Sequence, residues 1–323
     1  MTMRKTGNIL NGCIITLAVL VLFSGCRKEP PVKPANGVVA VSLVTDKNPH
    51  FRKIAEAIET EARRHAYQVN VVSCEFSVDR QIEQVQHFIS QHVQAIVLTP
   101  CDAKRIAPAI MAARAAAIPV FTADTACSVE GVPVKAHVAT DNRGGGKQIA
   151  HAIITYLGEK GGTVGLIHHS PLEACEQRVK GFLEVVTRHN ETNPASRIEI
   201  LFCEPGGANR EGGAAAARTI LNRHDLPDVI FAINDPSAAG AYSVLKKLPK
   251  EKCPQIIAFD GSKEGCRAVD EGHFLATAIQ YPDRIGIEVM RSIVMNARND
   301  PVPAEILIPT SLYQRPKGGK KEP

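Results

Sequence analysis

The chain has 323 residues, 44% hydrophobic and 5% aromatic, with no tryptophan, enough for two domains of ordinary size. Its 38 basic and 33 acidic residues give +5 at pH 7, but the excess sits at the ends. Setting aside Arg4, Lys5, Arg27, Lys28, Lys33, Arg315, Lys317, Lys320 and Lys321, with Glu29 and Glu322, leaves 29 basic against 31 acidic residues, which argues against a nucleic-acid groove.

The first element is a targeting segment. Arg4 and Lys5 precede an apolar run from Ile9 to Phe23 that is too short and uneven for a comfortable membrane span. It ends in Leu22-Phe23-Ser24-Gly25-Cys26. Small residues before the cysteine suit cleavage, and the cysteine resembles that of a bacterial lipobox, with Phe23 in place of the usual leucine. The reading is a signal peptide over 1–25, lipidation at Cys26 and a proline-rich tether over 26–37. A basic tail over 316–323 closes the chain and is expected to be disordered.

Between these ends, short apolar runs alternate with amphipathic stretches. Residues 38–44 read as a strand buried on both faces. Pro49 suits the first turn of a helix over 49–66, in which Ile54, Ile58 and Ala62 recur at helical spacing. Strands at 69–73, 95–98, 119–122 and 136–139 alternate with helices at 79–92 and 103–116, and a further helix starts near Asp141. The second half repeats the scheme, with strands at 163–167, 198–202, 229–232, 255–259 and 277–279. Its helices fall at 174–189, 210–223, 236–248, 262–271 and 283–297, and a last strand lies at 305–308. Such alternation predicts an α/β fold of two doubly wound parallel-sheet lobes.

In open parallel sheets the ligand crevice lies beyond the carboxyl ends of the strands. That rule selects Asn48, Asp124, Asn234, Asp260 and Gln280, each polar and each placed where an apolar strand emerges. Asp235, before Pro236, reads as a helix N-cap. Apart from Cys13 and Cys26, seven cysteines remain with no metal-site spacing, so buried thiols are the default. Cys101 and Cys127 each follow a predicted strand, which leaves one bridge between them open.

At these positions the sequence resembles the ribose-binding branch of the periplasmic sugar-binding proteins. The resemblance spans Val38 to about Leu312. It is carried by Asn48-Pro49-His50-Phe51, Leu98-Thr99-Pro100, Thr122-Ala123-Asp124, Thr140-Asp141-Asn142 and Gly145-Gly146-Lys147. Gln177-Arg178-Val179-Lys180-Gly181-Phe182, Ala232-Ile233-Asn234-Asp235, Ala258-Phe259-Asp260-Gly261 and the run from Ile279 to Gly286 complete it. It implies a type I binding-protein fold with three crossings between lobes. The first lobe takes 38–140 with 281–309, the second 141–280 with 310–315. It also implies sugar contacts at Asn48, Phe51, Asp124, Arg178, Asn234, Asp260 and Gln280. Carboxylates accept from hydroxyl pairs, the arginine fork donates, and amides do both.

His50 stands where this branch has a second aromatic wall, Thr125 where it has arginine, Ala208 where it has an aromatic, and Val44 where it has a small hydroxyl residue. His50 and Thr125 join the expected ligand contacts. The pocket loses a donor and stacking surface and gains room, so a bulkier pentose, hexose or polyol rivals ribose.

The resemblance further implies no catalysis, no cofactor and no metal. It implies a monomer that hands its ligand to an ABC transporter permease at a membrane reached through the lipid anchor. Delivery of the closed form to a sensory receptor is the alternative. Gly144-Gly145-Gly146-Lys147 lacks the spacing and hydroxyl residue of a phosphate loop and reads as the start of a helix capped by Asp141. His168-His169 lacks companions for a metal site. A sugar-responsive regulator would carry a DNA-binding domain where the signal segment stands.

Overall fold

The computed structural model describes residues 36–169, 172–223 and 225–315. The signal peptide over 1–25, Cys26, all of the tether but Asn36 and Gly37, and the tail over 316–323 lie outside the described residues.

Twelve described strands form two six-stranded sheets. The first contains β1 (Val38–Leu43), β2 (Gln68–Ser73), β3 (Ala95–Leu98), β4 (Val120–Ala123) and β5 (Ala136–Thr140). The second contains β6 (Gly162–His168), β7 (Ile198–Pro205), β8 (Val229–Ala232), β9 (Gln255–Asp260) and β10 (Ala276–Ile279). The chain then returns to the first sheet for β11 (Glu305–Ile308) and to the second for β12 (Ser311–Gln314). It thus passes three times between the sheets, as the fold class predicts. Strand orders are β11-β5-β4-β3-β1-β2 and β12-β10-β9-β8-β6-β7. The two sheets therefore share one winding. The chain reverses direction between β1 and β3 in one and between β6 and β8 in the other.

The strands are parallel because a helix separates nearly every pair. The helices are α1 (Pro49–Arg64), α2 (Val78–Ser90), α3 (Ala107–Ala115), α4 (Asn142–Leu157), α5 (Glu173–Thr192), α6 (Arg210–Leu221), α7 (Asp235–Leu245), α8 (Lys263–Asp270) and α9 (Pro282–Ala297). With both faces covered, β3, β4 and β8 are buried at every residue, which explains their unbroken apolar runs. Strand β12, antiparallel to β10, is reached by a short connection from β11; its alternation is too brief to stand out in the sequence.

Helix starts follow capping chemistry. Asn48 is extended and its side chain accepts from the His50 N–H, with Pro49 in the first turn of α1. Ile54 and Ile58 on the inner face are fully buried, each contributing roughly 1.5–3 kcal/mol of transfer energy. Asp141 caps α4 through the Gly144 N–H at 2.7 Å. Helix α3 starts at Ala107 rather than 103. Asp102 Oδ1 takes the Lys104 and Arg105 N–H groups at 2.9 and 2.8 Å, and this local turn competes with the first helical turn.

The described cysteines are free. Cys101 lies close enough to Cys74 for the two thiols to influence each other, and the bridge left open between Cys101 and Cys127 is not formed.

The glycine run at the start of α4 serves packing. A Cβ on Gly146 would lie 2.0 Å from the Arg178 carbonyl oxygen on α5. Gly146→Ala should therefore separate α4 from α5 and destabilise the protein by about 1–3 kcal/mol, read as a lower midpoint in urea denaturation. An unchanged midpoint would contradict this close approach.

Candidate functional site

The carboxyl ends of β1 and β4 bring His50 and Asp124 together. His50, in the first turn of α1, places its Nε2 at 2.8 Å from Asp124 Oδ1, and its ring meets Phe51 edge-on at 5.3 Å. Phe51 itself packs on the core of the first sheet. Asp124 directly follows β4 in the left-handed region, φ 65°, and its N–H donates to the Val138 carbonyl at 2.9 Å. A left-handed non-glycine residue costs of order 1–3 kcal/mol and persists where its surroundings over-determine it. Asn48 is exposed at the start of α1. Thr125 is partly buried next to Asp124, with its N–H on the Ala123 carbonyl.

The second sheet supplies the other group. Arg178 projects from α5 and is 6% exposed. Its Nε donates to Asn142 Oδ1 at 2.9 Å, and its Nη1 donates to the Ile233 carbonyl at 2.6 Å and to Asp260 Oδ1 at 3.4 Å. The guanidinium carbon lies 3.8 Å from the centre of the Phe259 ring, a cation–π contact. Asp260, the last residue of β9, also has a positive φ, 120°. Gln280 follows β10 and joins the sheets, its Nε2 donating to Asp260 Oδ1 and its Oε1 accepting from Thr140 Oγ1, both at 2.8 Å. Asn234 caps α7 through the Ser237 N–H at 3.0 Å and donates to the Ala208 carbonyl at 2.8 Å.

The two groups face each other electrostatically. The charges of Asp260 and Arg178 act on His50, and that of Arg178 acts on Asp124. Burial opposes a charge on His50, but the charge and hydrogen bond of Asp124 outweigh it and hold the imidazole above its ordinary 6.5. Burial would likewise raise Asp124, yet His50 and Arg178 together hold it below 3.8. Both shifts stabilise the charged pair. At Asp260 burial wins and pushes the carboxyl up, despite Arg178, His50 and Gln280. Each sheet thus contributes one acidic and one basic side chain, and the two pairs lie close enough to act on each other.

Several participants lie outside the residues selected from sequence. Asn142 orients Arg178, Phe259 supports it, and Thr140 donates to Gln280. His137, hydrogen-bonded to Thr122 Oγ1 at 2.9 Å, lies close enough to feel Asp124 and is pushed down by burial. Phe259 was visible only as a strand residue, because nothing in an apolar run marks which ring an arginine will cover. One expectation is corrected. The N-cap of α7 is Asn234, and Asp235 follows it, 3% exposed, with its side chain turned away from its own helix. The Pro236 signal is real, but proline occupies the second helical position here.

A family model described as a periplasmic binding protein domain matches residues 39–300. The chain belongs to the periplasmic binding protein family. Among its relatives, the ribose import binding protein of Bacillus subtilis (strain 168) is 30% identical over 282 residues, 84% of this chain and 88% of that protein. The fold is also that of an ABC transporter periplasmic solute binding protein from Actinobacillus succinogenes 130z, solved with bound D-allose. There the TM-score is 0.77 at 22% identity, over 86% of this chain and 97% of the other. A solute binding protein from Bacillus halodurans C-125 with bound myo-inositol gives a TM-score of 0.76 at 21% identity, over 87% and 95% of the two chains.

The His50–Asp124 pair has a pH signature. His50, raised, contributes stability fully present below 6.5 and lost as pH rises through its folded value. Asp124, lowered, contributes stability present above 3.8 and lost as pH falls through its folded value. NMR titration of the His50 ring should give a midpoint above 6.5 in the wild type and a lower one in Asp124→Asn, where burial acts without the largest of the counter-charges. A midpoint that ignores the substitution would disprove the pairing.

Proposed function

We propose that this protein captures a monosaccharide or similar polyol between its two lobes and delivers it to an ABC-type importer. The observation that carries the reading is the set of His50, Asp124, Arg178 and Asp260, one acidic and one basic side chain from each sheet, each pair within reach of the other. A polyhydroxylated, uncharged ligand meets acceptors and donors on both walls and disturbs no charge balance. Asn48, His50, Phe51, Asp124, Thr125, Arg178, Asn234, Asp260 and Gln280 are the proposed contacts, with Phe51 against the C–H face of the ring. The relatives' ligands support the class, and the small Ala208 and Thr125 leave ribose only one candidate among several. The moving bodies would be 38–140 with 281–309 and 141–280 with 310–315. Closure would be favoured by the contacts a ligand makes to both.

Export and anchoring complete the proposal. The apolar run ending in Ser24-Gly25-Cys26 supports cleavage before Cys26 and its acylation. The basic residues of the tether would then lie near an anionic lipid surface.

A thermal-shift screen of pentoses, hexoses and polyols should give a clear hit, because ligand at about 100 times Kd stabilises by about 2.7 kcal/mol. Calorimetry on the hit should show binding abolished or weakened at least about a hundredfold in Asp124→Ala and in Asp260→Ala. This is the order expected for a charge-assisted bond together with the unpaired charge it leaves. Unchanged affinity in both variants refutes the site. For the anchor, Cys26→Ser should move the protein from the membrane fraction to the soluble one, and persistent lipid labelling of that variant would rule the anchor out.

A further inference from the structure

Asp235 is a buried carboxylate whose hydrogen-bonding neighbours carry no positive charge. Its Oδ2 accepts from the N–H of Ser262 at 2.8 Å and from the Ser262 hydroxyl at 2.7 Å, and its Oδ1 accepts from the Thr277 hydroxyl at 2.8 Å. Thr277 Oγ1 in turn accepts from the Gly261 N–H at 3.2 Å. Both consecutive N–H groups after Asp260 are thus tied to one carboxylate, one directly and one through Thr277. The same side chain sits under the first turn of α8. Ser262 caps that helix through the Gly265 N–H at 3.0 Å, and a Cβ on Gly265 would lie 2.1 Å from Asp235 Oδ2.

The turn held in this way is the one that needs holding. Asp260 has φ 120° and Gly261 has φ 63°, so two successive residues lie in the left-handed half of backbone space. Gly261 cannot be replaced cheaply, since a Cβ there would also meet Ile279 at 2.5 Å. An acceptor-only group is the side chain that receives three donors without rearrangement; an amide presents a donor on one side. Burial and the nearby Asp260 charge push Asp235 up to about 7, against the bonds from Ser262 and Thr277, which favour the ionised, acceptor-only form. That is a standing cost for a group with no ligand-facing contact of its own.

We propose that Asp235 is a positioning residue of the cleft: it fixes the left-handed turn at Asp260–Gly261 and so aims the Asp260 carboxylate at the ligand. The proposal rests on the sugar-binding reading for its readout, and on the observed bonds for its geometry. It acts through Asp260 and does not touch the ligand.

The test uses the mature protein and three variants: Asp235→Ala, Asp235→Asn and Thr277→Val, the last removing only the relay to Gly261. Circular dichroism establishes that each is folded, and titration calorimetry with D-ribose, D-allose and myo-inositol reads affinity well below the melting temperature. Asp235→Ala should weaken the tightest of these ligands at least about tenfold, Asp235→Asn should recover part of the loss, and Thr277→Val should fall between. Wild-type affinity in a folded Asp235→Ala protein overturns the proposal.

Amide hydrogen exchange without sugar separates this outcome from failure of the ligand reading. Gly261 and Ser262 should exchange at least about tenfold faster in Asp235→Ala, with β1 amides unchanged. If no sugar binds the wild type, the sugar reading falls and exchange alone decides. Unaltered protection at Gly261 and Ser262 then overturns the positioning role as well.

Discussion

Charge compensation between two largely buried ion pairs is the constraint on which the site depends. An isolated ion at His50, Asp124, Arg178 or Asp260 would face a desolvation penalty of several kcal/mol. None is isolated: His50 is bonded to Asp124 and Arg178 to Asp260, and each pair feels the other. The pairs are unequal. Asp124 is held ionised by a short contact, whereas Asp260, with Arg178 at 3.4 Å, is pushed toward neutrality by burial. The Asp260 wall therefore has the most to gain from an added donor, which is what a sugar hydroxyl supplies.

The placement of these charges follows from the winding of the two sheets. In a parallel sheet covered on both faces, the strand ends are where charged side chains can reach a ligand. The crevice forms where the strand order reverses, between β1 and β3 and between β6 and β8. His50 follows β1, Arg178 lies on the helix after β6, and Asn234 follows β8. Strands β4, β9 and β10 add Asp124, Asp260 and Gln280. Gln280 has a second task, since its bond to Thr140 ties the connection after β10 to the end of β5. A residue that touches both the crossing and Asp260 is well placed to relate ligand occupancy to lobe movement.

Much of this was legible in the sequence, and the reasons are specific. Unbroken apolar runs such as 95–98 and 229–232 marked doubly covered strands, and Pro49 and Asp141 marked helix starts by chemistry that acts over a few residues. The strand-end rule found Asp124 and Asp260 because an apolar run followed by a carboxylate is a local pattern. What stayed hidden depends on distant partners or on backbone handedness. Asn142 gains its role only when α4 lies against α5. The Cys74–Cys101 contact needs β2 and β3 on either side of β1. Asp235 reads from sequence as a cap, because its true partners, Ser262 and Thr277, are 27 and 42 residues away.

Both carboxylates sit on left-handed backbone, and this shared feature links strain to recognition. Asp124 and Asp260 each end a strand with a residue whose φ is 65° or 120°, where a glycine would be cheaper. Their internal bonds converge on Oδ1: His50 on Asp124, Gln280 and Arg178 on Asp260. Under the sugar-binding reading, the ligand would take Oδ2 of each while Oδ1 stays with the protein. One oxygen then fixes direction and the other reads a hydroxyl. Replacing either aspartate by glutamate would preserve the charge, but the longer chain would no longer divide its two oxygens between protein and ligand in this way. On this view recognition depends on the backbone conformation at two residues as much as on their chemistry, and for that reason the structures that impose it, the Val138 bond at Asp124 and the Asp235 cluster at Asp260, belong to the binding site.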